Sequence, residues 1–281
     1  MAAHAETTEM SRTMFCITSH WKLDELTPAE IGQRSLTMLQ RLGHLGAPMG
    51  NWLLGDPALP RWSHLDEVVH GITGVVQRNV MRDDFGDPEP GSGYRVIVKG
   101  SKTPSEFGAS DSANITVKAG SKWRNSVEFE LGSFQTPPDL NLVTYSLFKG
   151  AVETMASIWP CPWMFAYTWT PDDVPRVPWD GVTPIWEWKS PKGRMRRSFE
   201  IAWVAYLSAP LAKGLAPPPE IICEPTPAGG VILSSAPERL DEANPDHMRR
   251  ALALEALLDE RIGSQGYGPD RVEHPARVGP Y

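Results

Sequence analysis

Thiols, imidazoles and paired carboxylates are the side chains of this sequence that could do chemistry. The cysteines are Cys16, Cys161 and Cys223. Their wide spacing contains no CxxC and no nucleophile signature, which predicts buried structural thiols rather than a zinc knuckle, a disulfide framework or a catalytic cysteine. The histidines are His4, His20, His44, His64, His70, His247 and His274, and none forms H-x-x-x-H or H-E-x-x-H. His64 and His70 lie six apart on a predicted helix, so they point to different faces. His20, beside Trp21, suits packing or capping. These spacings predict no metal site and no cofactor. No G-x-S-x-G elbow occurs. Gly91-Ser92-Gly93 lacks the Lys-Ser/Thr and the helix that cradle a phosphate, so it reads as a turn. Glu128 and Glu130 share one face of a predicted strand, and Asp172 and Asp173 are adjacent. Such pairs do acid–base work if buried, but a solvated strand face is the commoner setting.

With catalytic constellations missing, charge and aromatic content carry the reading. Net charge is −7, from 27 basic and 34 acidic residues. The one basic cluster, Lys189, Lys192, Arg194, Arg196 and Arg197, is too small to argue for nucleic acid. An acidic surface suits a basic protein partner through steering, and it also simply keeps a protein soluble. Six of the eleven tryptophans fall between Trp159 and Trp188. Tryptophan dominates binding hot spots, and nearby charge supplies register. Asp172, Asp173, Trp179, Asp180, Trp186 and Glu187 combine both features, and Asp83 and Asp84 add charge in an acidic link. These eight are the candidate partner-binding residues. Trp163, Trp169 and Trp203 are expected in the core instead.

The elements that must position them can be read from pattern. Met14–Thr18 reads as a strand. Thr27, Pro28 and Glu30 form a capping box that opens a helix closed near Gly43. A second helix is expected from Ser63 through Val76, weakened by Gly71 and Gly74. Arg82 to Gly93 is a turn-rich acidic link. Tyr94–Lys99, Ala113–Lys118 and Ser126–Leu131 alternate with period two and predict an antiparallel meander with one wet face. A third helix is expected from about Asp139 to Ile158. Strands are expected at Trp163–Trp169, Ile185–Trp188, Glu220–Glu224 and Gly230–Ser234. Phe199–Leu207 fits a strand better than a short helix. Asn244 and Pro245 open a last helix that ends at Gly263.

Strands and helices mix without strict βαβ alternation. The expected architecture is a single α+β domain, a mainly antiparallel sheet with about four helices packed on it. Residues 1–12 are expected to be a disordered leader, 13–263 the domain and 264–281 a flexible tail. No signal peptide and no run long enough for a membrane span is visible, and three unpaired thiols fit a reducing compartment, so a cytoplasmic location is expected.

Gly229-Gly230-Val231-Ile232-Leu233-Ser234-Ser235 leads through Pro237-Glu238-Arg239-Leu240-Asp241 to Asn244-Pro245-Asp246-His247 and a helix. This run resembles the end of the immunity protein 52 family. Trp203-Val204-Ala205-Tyr206-Leu207-Ser208 and the Trp-rich middle fit the same pattern, and the resemblance covers about residues 185–260. Members are antidotes to polymorphic toxins, often restriction-endonuclease-like nucleases delivered by contact-dependent or type VI secretion between competing bacteria. The resemblance implies a non-enzymatic immunity protein that binds and neutralises a cognate, basic nuclease toxin, with no nucleic acid or membrane partner of its own. It supplies no catalytic motif. The Gly-Gly and Asn-Pro features read as structural. Two other readings stand beside it: a secretion adaptor or chaperone that carries an effector, and a carboxylate-dependent enzyme using Glu128, Glu130 or Glu187. The oligomeric state is left open.

Overall fold

The alternating segments build one continuous sheet. The computed structural model describes residues 14–21, 25–46, 49–56, 62–68, 71–82, 85–89, 91–100, 112–122, 125–132, 138–169 and 201–262. In chain order these form β1 (Met14–Trp21), α1 (Pro28–Gly43), β2 (Trp52–Leu54), β3 (Ser63–His64), α2 (Leu65–Val68), α3 (Ile72–Arg78), β4 (Tyr94–Gly100), β5 (Ala113–Ala119), β6 (Asn125–Leu131), α4 (Tyr145–Ile158), β7 (Trp163–Trp169), β8 (Ile201–Leu207), α5 (Ala209–Ala212), β9 (Ile222–Pro225), β10 (Val231–Ser234) and α6 (Pro245–Ile262). The strands make a ten-stranded sheet in the order β3-β2-β4-β5-β6-β1-β7-β8-β10-β9. Every adjacent pair is antiparallel. The α+β class holds. Among the described residues there are six helices rather than four, because α2 and α5 are single turns.

The sheet buries its two sides differently. Ile17, Val127, Phe129, Ile115, Val117, Val96 and Val98 point to one side and join Ile31, Met38, Leu39, Leu42, Phe148, Val152 and Met155 of α1 and α4 in the main core. Trp203 lies at its centre with its ring 5.3 Å from Phe148 and 6.1 Å from Phe15. On the other side α6 covers only the β7–β10 end. There Leu254, Leu257, Leu258 and Ile262 pack on Trp163, Phe165, Ala205, Leu207 and Leu233.

Local rules explain most element ends. The Thr27 capping box is complete: Glu30 N–H donates to Thr27 Oγ1 at 3.3 Å and Thr27 N–H donates to Glu30 Oε2 at 2.8 Å. That motif is worth about 1 kcal/mol. Asn244 Oδ1 accepts from Asp246 N–H at 3.0 Å and caps α6 as expected. Gly229 has φ +79°, and a Cβ on Gly230 would lie 2.4 Å from Leu207 O. The pair is therefore structural: only glycine makes this turn and lets the two backbones touch.

Three expectations are corrected. The helix expected over Ser63–Val76 is broken: Ser63 and His64 are a strand, α2 is one turn, and α3 begins only at Ile72 after Gly71. The helix expected from Asp139 begins at Tyr145, because Thr144 supplies the cap by accepting from Leu147 N–H at 3.2 Å. Asp139 instead makes a local turn, with Oδ1 accepting from Asn141 N–H at 2.9 Å. Finally, the expected wet face of the meander is mostly half-buried. Of its alternating residues on β4, β5 and β6 only Arg95 is fully exposed. The expected strand at 185–188 lies outside the described residues.

Candidate functional site

No disulfide joins the three cysteines; Cys16 and Cys161 are buried and Cys223 is exposed. Burial pushes the Cys161 thiol up to about 11, so it is protonated at neutral pH and a poor nucleophile. Its Sγ–H points at Trp159 O at 3.4 Å. Burial also raises the Cys223 thiol, with Glu224 adding to the shift. Among the described residues no group of three or more His, Cys, Asp or Glu side chains could hold a metal ion. His247 is a structural histidine. Its Nδ1 accepts from Asp241 N–H at 3.1 Å, so Nε2 carries the proton toward Glu238 Oε1 at 2.7 Å.

The carboxylate pair is less exposed than a solvated strand face. Glu128 pairs across to Thr116 and Thr18, and Glu130 to Asn114 and Cys16. Both are half-buried. Burial raises the Glu130 carboxyl above the usual range, and the neighbouring Glu128 charge raises it further. Two residues of strand rise place the pair about 7 Å apart on one face. On β7, one strand beyond β1, Trp163 and Phe165 stack with ring centroids 5.2 Å apart, and Phe165 lies 5.4 Å from Tyr167. The imidazole of His20 meets Trp163 edge-on at 5.8 Å. Trp163 and Trp203 are thus core residues, as expected. The side chain of Trp169 lies outside the described residues.

All eight candidate partner-binding residues, Asp83, Asp84, Asp172, Asp173, Trp179, Asp180, Trp186 and Glu187, lie outside the described residues. Their attachment points do not. The chain leaves β7 after Trp169 and re-enters at Ile201, which pairs with Thr168. Asp83 and Asp84 precede β4, which begins at Tyr94. Following the antiparallel order from β4 to β7, these two attachments are at opposite ends of the sheet.

The described residues before β4, 79–82, 85–89 and 91–93, fold back as a short arm, with isolated bridges Val80–Tyr94 and Arg82–Pro88. Arg95 N–H donates to Asn79 O at 2.9 Å, Met81 N–H to Gly93 O at 2.9 Å and Glu89 N–H to Met81 O at 3.0 Å. Lys122 N–H donates to Gly91 O at 2.8 Å and ties the arm to the β5–β6 turn. At the tip Arg82 Nη1 donates to Gly86 O at 2.7 Å. Phe85 stands there 92% exposed, alone among the described large hydrophobic side chains. Asp87 and Glu89 beside it are exposed too.

No described helix is long and apolar enough to cross a membrane. No family model matches the chain, and no curated protein matches it. Among solved structures, the chain is similar to the Pseudomonas aeruginosa T6SS protein PA0821. That match has a TM-score of 0.51 and 12% identity, and spans 93% of this chain and 82% of the other. A second match, the duplicated taurocyamine kinase from Schistosoma mansoni with bound transition-state-analogue components, is 13% identical and covers 94% of this chain and 35% of that one. Its TM-score of 0.26 carries no argument. What the first comparison establishes is a fold shared along nearly the whole chain with a protein of type VI secretion.

Proposed function

We propose that this protein is a cytoplasmic immunity protein that binds a cognate nuclease toxin and neutralises it by direct contact, without catalysis. The observation that carries the reading is the fold shared over 93% of the chain with a type VI secretion protein. Such systems deliver toxins, and the producing cell needs an antidote. A net charge of −7 fits the same role, because a nuclease's substrate groove is basic and attracts an acidic plug. The resemblance of residues 185–260 to immunity protein 52 sequences points the same way.

The test is co-purification with the product of the adjacent gene, followed by a nuclease assay of the complex. A stable complex without activity supports the antidote. A stable complex that still cuts DNA replaces it with an effector adaptor, which the same fold likeness accommodates. The half-buried, raised Glu130 gives the carboxylate-enzyme reading its one foothold. That reading requires a Glu130→Gln protein to lose its biological effect while keeping any complex intact.

A further inference from the structure

We propose that the open face of β4, β5 and β6 is the interface of a symmetric dimer, in which a second copy of this chain lays its β4 cations over the β6 carboxylates. This inference goes beyond the proposed function and does not depend on it. Among the described residues, α6 covers only the β7–β10 end of this side of the sheet. The face of β4, β5 and β6 presents Arg95, Ile97 and Lys99, then Asn114, Thr116 and Lys118, then Glu128 and Glu130. Arg95 is exposed and the other seven are half-buried. Lys99 lies over the Trp62 ring at 4.8 Å. Among the described residues, none of the five charged side chains has an ion pair or a side-chain hydrogen bond. Lys118 and Glu128 are diagonal neighbours, since Lys118 pairs across to Ser126 and Thr116 to Glu128. Such neighbours are about 7–8 Å apart, within reach of long side chains. Charges of both signs thus stand on one face without neutralising each other.

The register makes this face its own complement. Lys99, Asn114 and Glu130 form one cross-strand row, and Ile97, Thr116 and Glu128 form the next. Both rows are centred on β5. A two-fold axis lying over β5, parallel to the strands, sets β6 over β4 of the second copy and keeps each row opposite itself. Glu130 then faces Lys99 of the second copy. Glu128 faces Ile97 of the second copy, between its Arg95 and its Lys99. Burial and the Glu128 charge hold the Glu130 carboxyl above its usual range, so an incoming cation is favoured there. Asn114 meets its own copy, and two amides can donate to and accept from each other. Lys118 also meets its own copy, the one like-charged contact of this arrangement. The platform is fixed before docking, because Val96, Val98, Ile115, Val117, Val127 and Phe129 on its underside are buried in the main core. Little backbone ordering is lost on association. The carboxylates disfavour a phosphate backbone on the same face. Three strands are a small platform, so the dimer is a weak one.

The experiment is sedimentation equilibrium of the full chain over a concentration series, for wild type, Glu128→Lys/Glu130→Lys, Arg95→Glu/Lys99→Glu and Lys118→Ala. Circular dichroism and a melting curve confirm the fold of each. We expect wild type to dimerise and each double reversal to weaken the dimer about 30-fold or more. Mixed together, the two reversals should form a one-to-one heterodimer with an affinity close to that of wild type, because each restores the other's complement. Lys118→Ala should dimerise about threefold more tightly than wild type, since it removes the like-charged contact. A wild type that stays monomeric across the series overturns the inference and leaves the antidote reading standing. So does a dimer whose affinity neither reversal changes, or a pair of reversals that does not associate on mixing. Should a reversal fail to fold, Lys118→Ala decides, and unchanged or weaker dimerisation sinks the axis over β5. If wild type is monomeric and the adjacent-gene product loses affinity for both reversals, the face belongs to that partner and the dimer is overturned.

Discussion

Arg78 grips Asp56 with both arms of its guanidinium: Nε donates to Oδ1 at 2.9 Å and Nη2 to Oδ2 at 2.5 Å. The Asp56 side chain is only 3% exposed, whereas Arg78 is 45% exposed. The pair ties the end of α3 to the chain just after β2. Removing Arg78 would leave a carboxylate in a site built for its charge partner. Arg78→Ala should cost about 1–3 kcal/mol. Arg78→Lys should recover less than half of this, because an ammonium cannot fork to two oxygens. Urea denaturation checks it. An unchanged midpoint in Arg78→Ala would mean that the pair contributes nothing net.

The core around Trp203 sets a larger scale. Its indole is fully buried, lies 5.3 Å from Phe148 and 6.3 Å from Tyr145, and donates Nε1–H to Ala236 O at 3.2 Å. Trp203→Ala should destabilise by about 3–5 kcal/mol. Trp203→Phe should cost less because most of the ring volume is kept, while the Ala236 carbonyl is orphaned in both variants. A Trp203→Ala protein with a wild-type denaturation midpoint would sink this account of the core.

Glu130 predicts a pH effect whose sign follows from its raised carboxyl. Between the unfolded value and the higher folded value, the native state holds more protons than the unfolded one. Stability then falls as pH rises through that window, since the slope has the sign of unfolded minus native protons bound. Relative to Glu130→Gln, wild type should match at pH below the unfolded value of about 4 and melt lower at pH 7. Melting curves of the two proteins from pH 3.5 to pH 7, held as a difference so that other groups cancel, read this directly. A Glu130→Gln protein that melts lower than wild type at pH 7 would mean that the ionised carboxylate is stabilising, against the burial argument.

These residues show where the sequence was legible. Period-two alternation located β4, β5 and β6 to within a residue or two, because each buries one face on the helices. Thr27 and Asn244 announced their helices, since a cap acts within one turn and needs no tertiary context. The strand Trp52–Leu54 was invisible. Its three residues are all buried, so no alternation marks it, and only pairing with Val98–Gly100 and Ser63–His64 makes it a strand. At 63–76 the apolar stripe continues through a break in the backbone at Gly71, which periodicity alone does not register. The helix expected from about Asp139 starts later because Asp139 serves a local turn and Thr144 supplies the cap. Of the candidate site, the shared strand face of Glu128 and Glu130 was readable, but their half-burial depends on the flanking strands β1 and β5, which are distant from β6 in sequence or set by its pairing.

Gly93 seats the segment before β4 directly against the β5–β6 turn. It has φ +78°, and a Cβ there would stand 2.4 Å from Ala119 O and 2.7 Å from Ser121 N. Both contacts are backbone of the β5–β6 turn, which cannot swing aside as a flexible side chain would. Gly93→Ala must therefore move the arm off that turn. The bonds from Met81 to Gly93 and from Lys122 to Gly91 should break, while the pairing of β1, β5 and β6 persists. Hydrogen exchange should show loss of protection at the Met81 and Lys122 amides with the amides of Val127 and Phe129 unchanged. Retained protection at Met81 and Lys122 would show that the turn absorbs the extra atom.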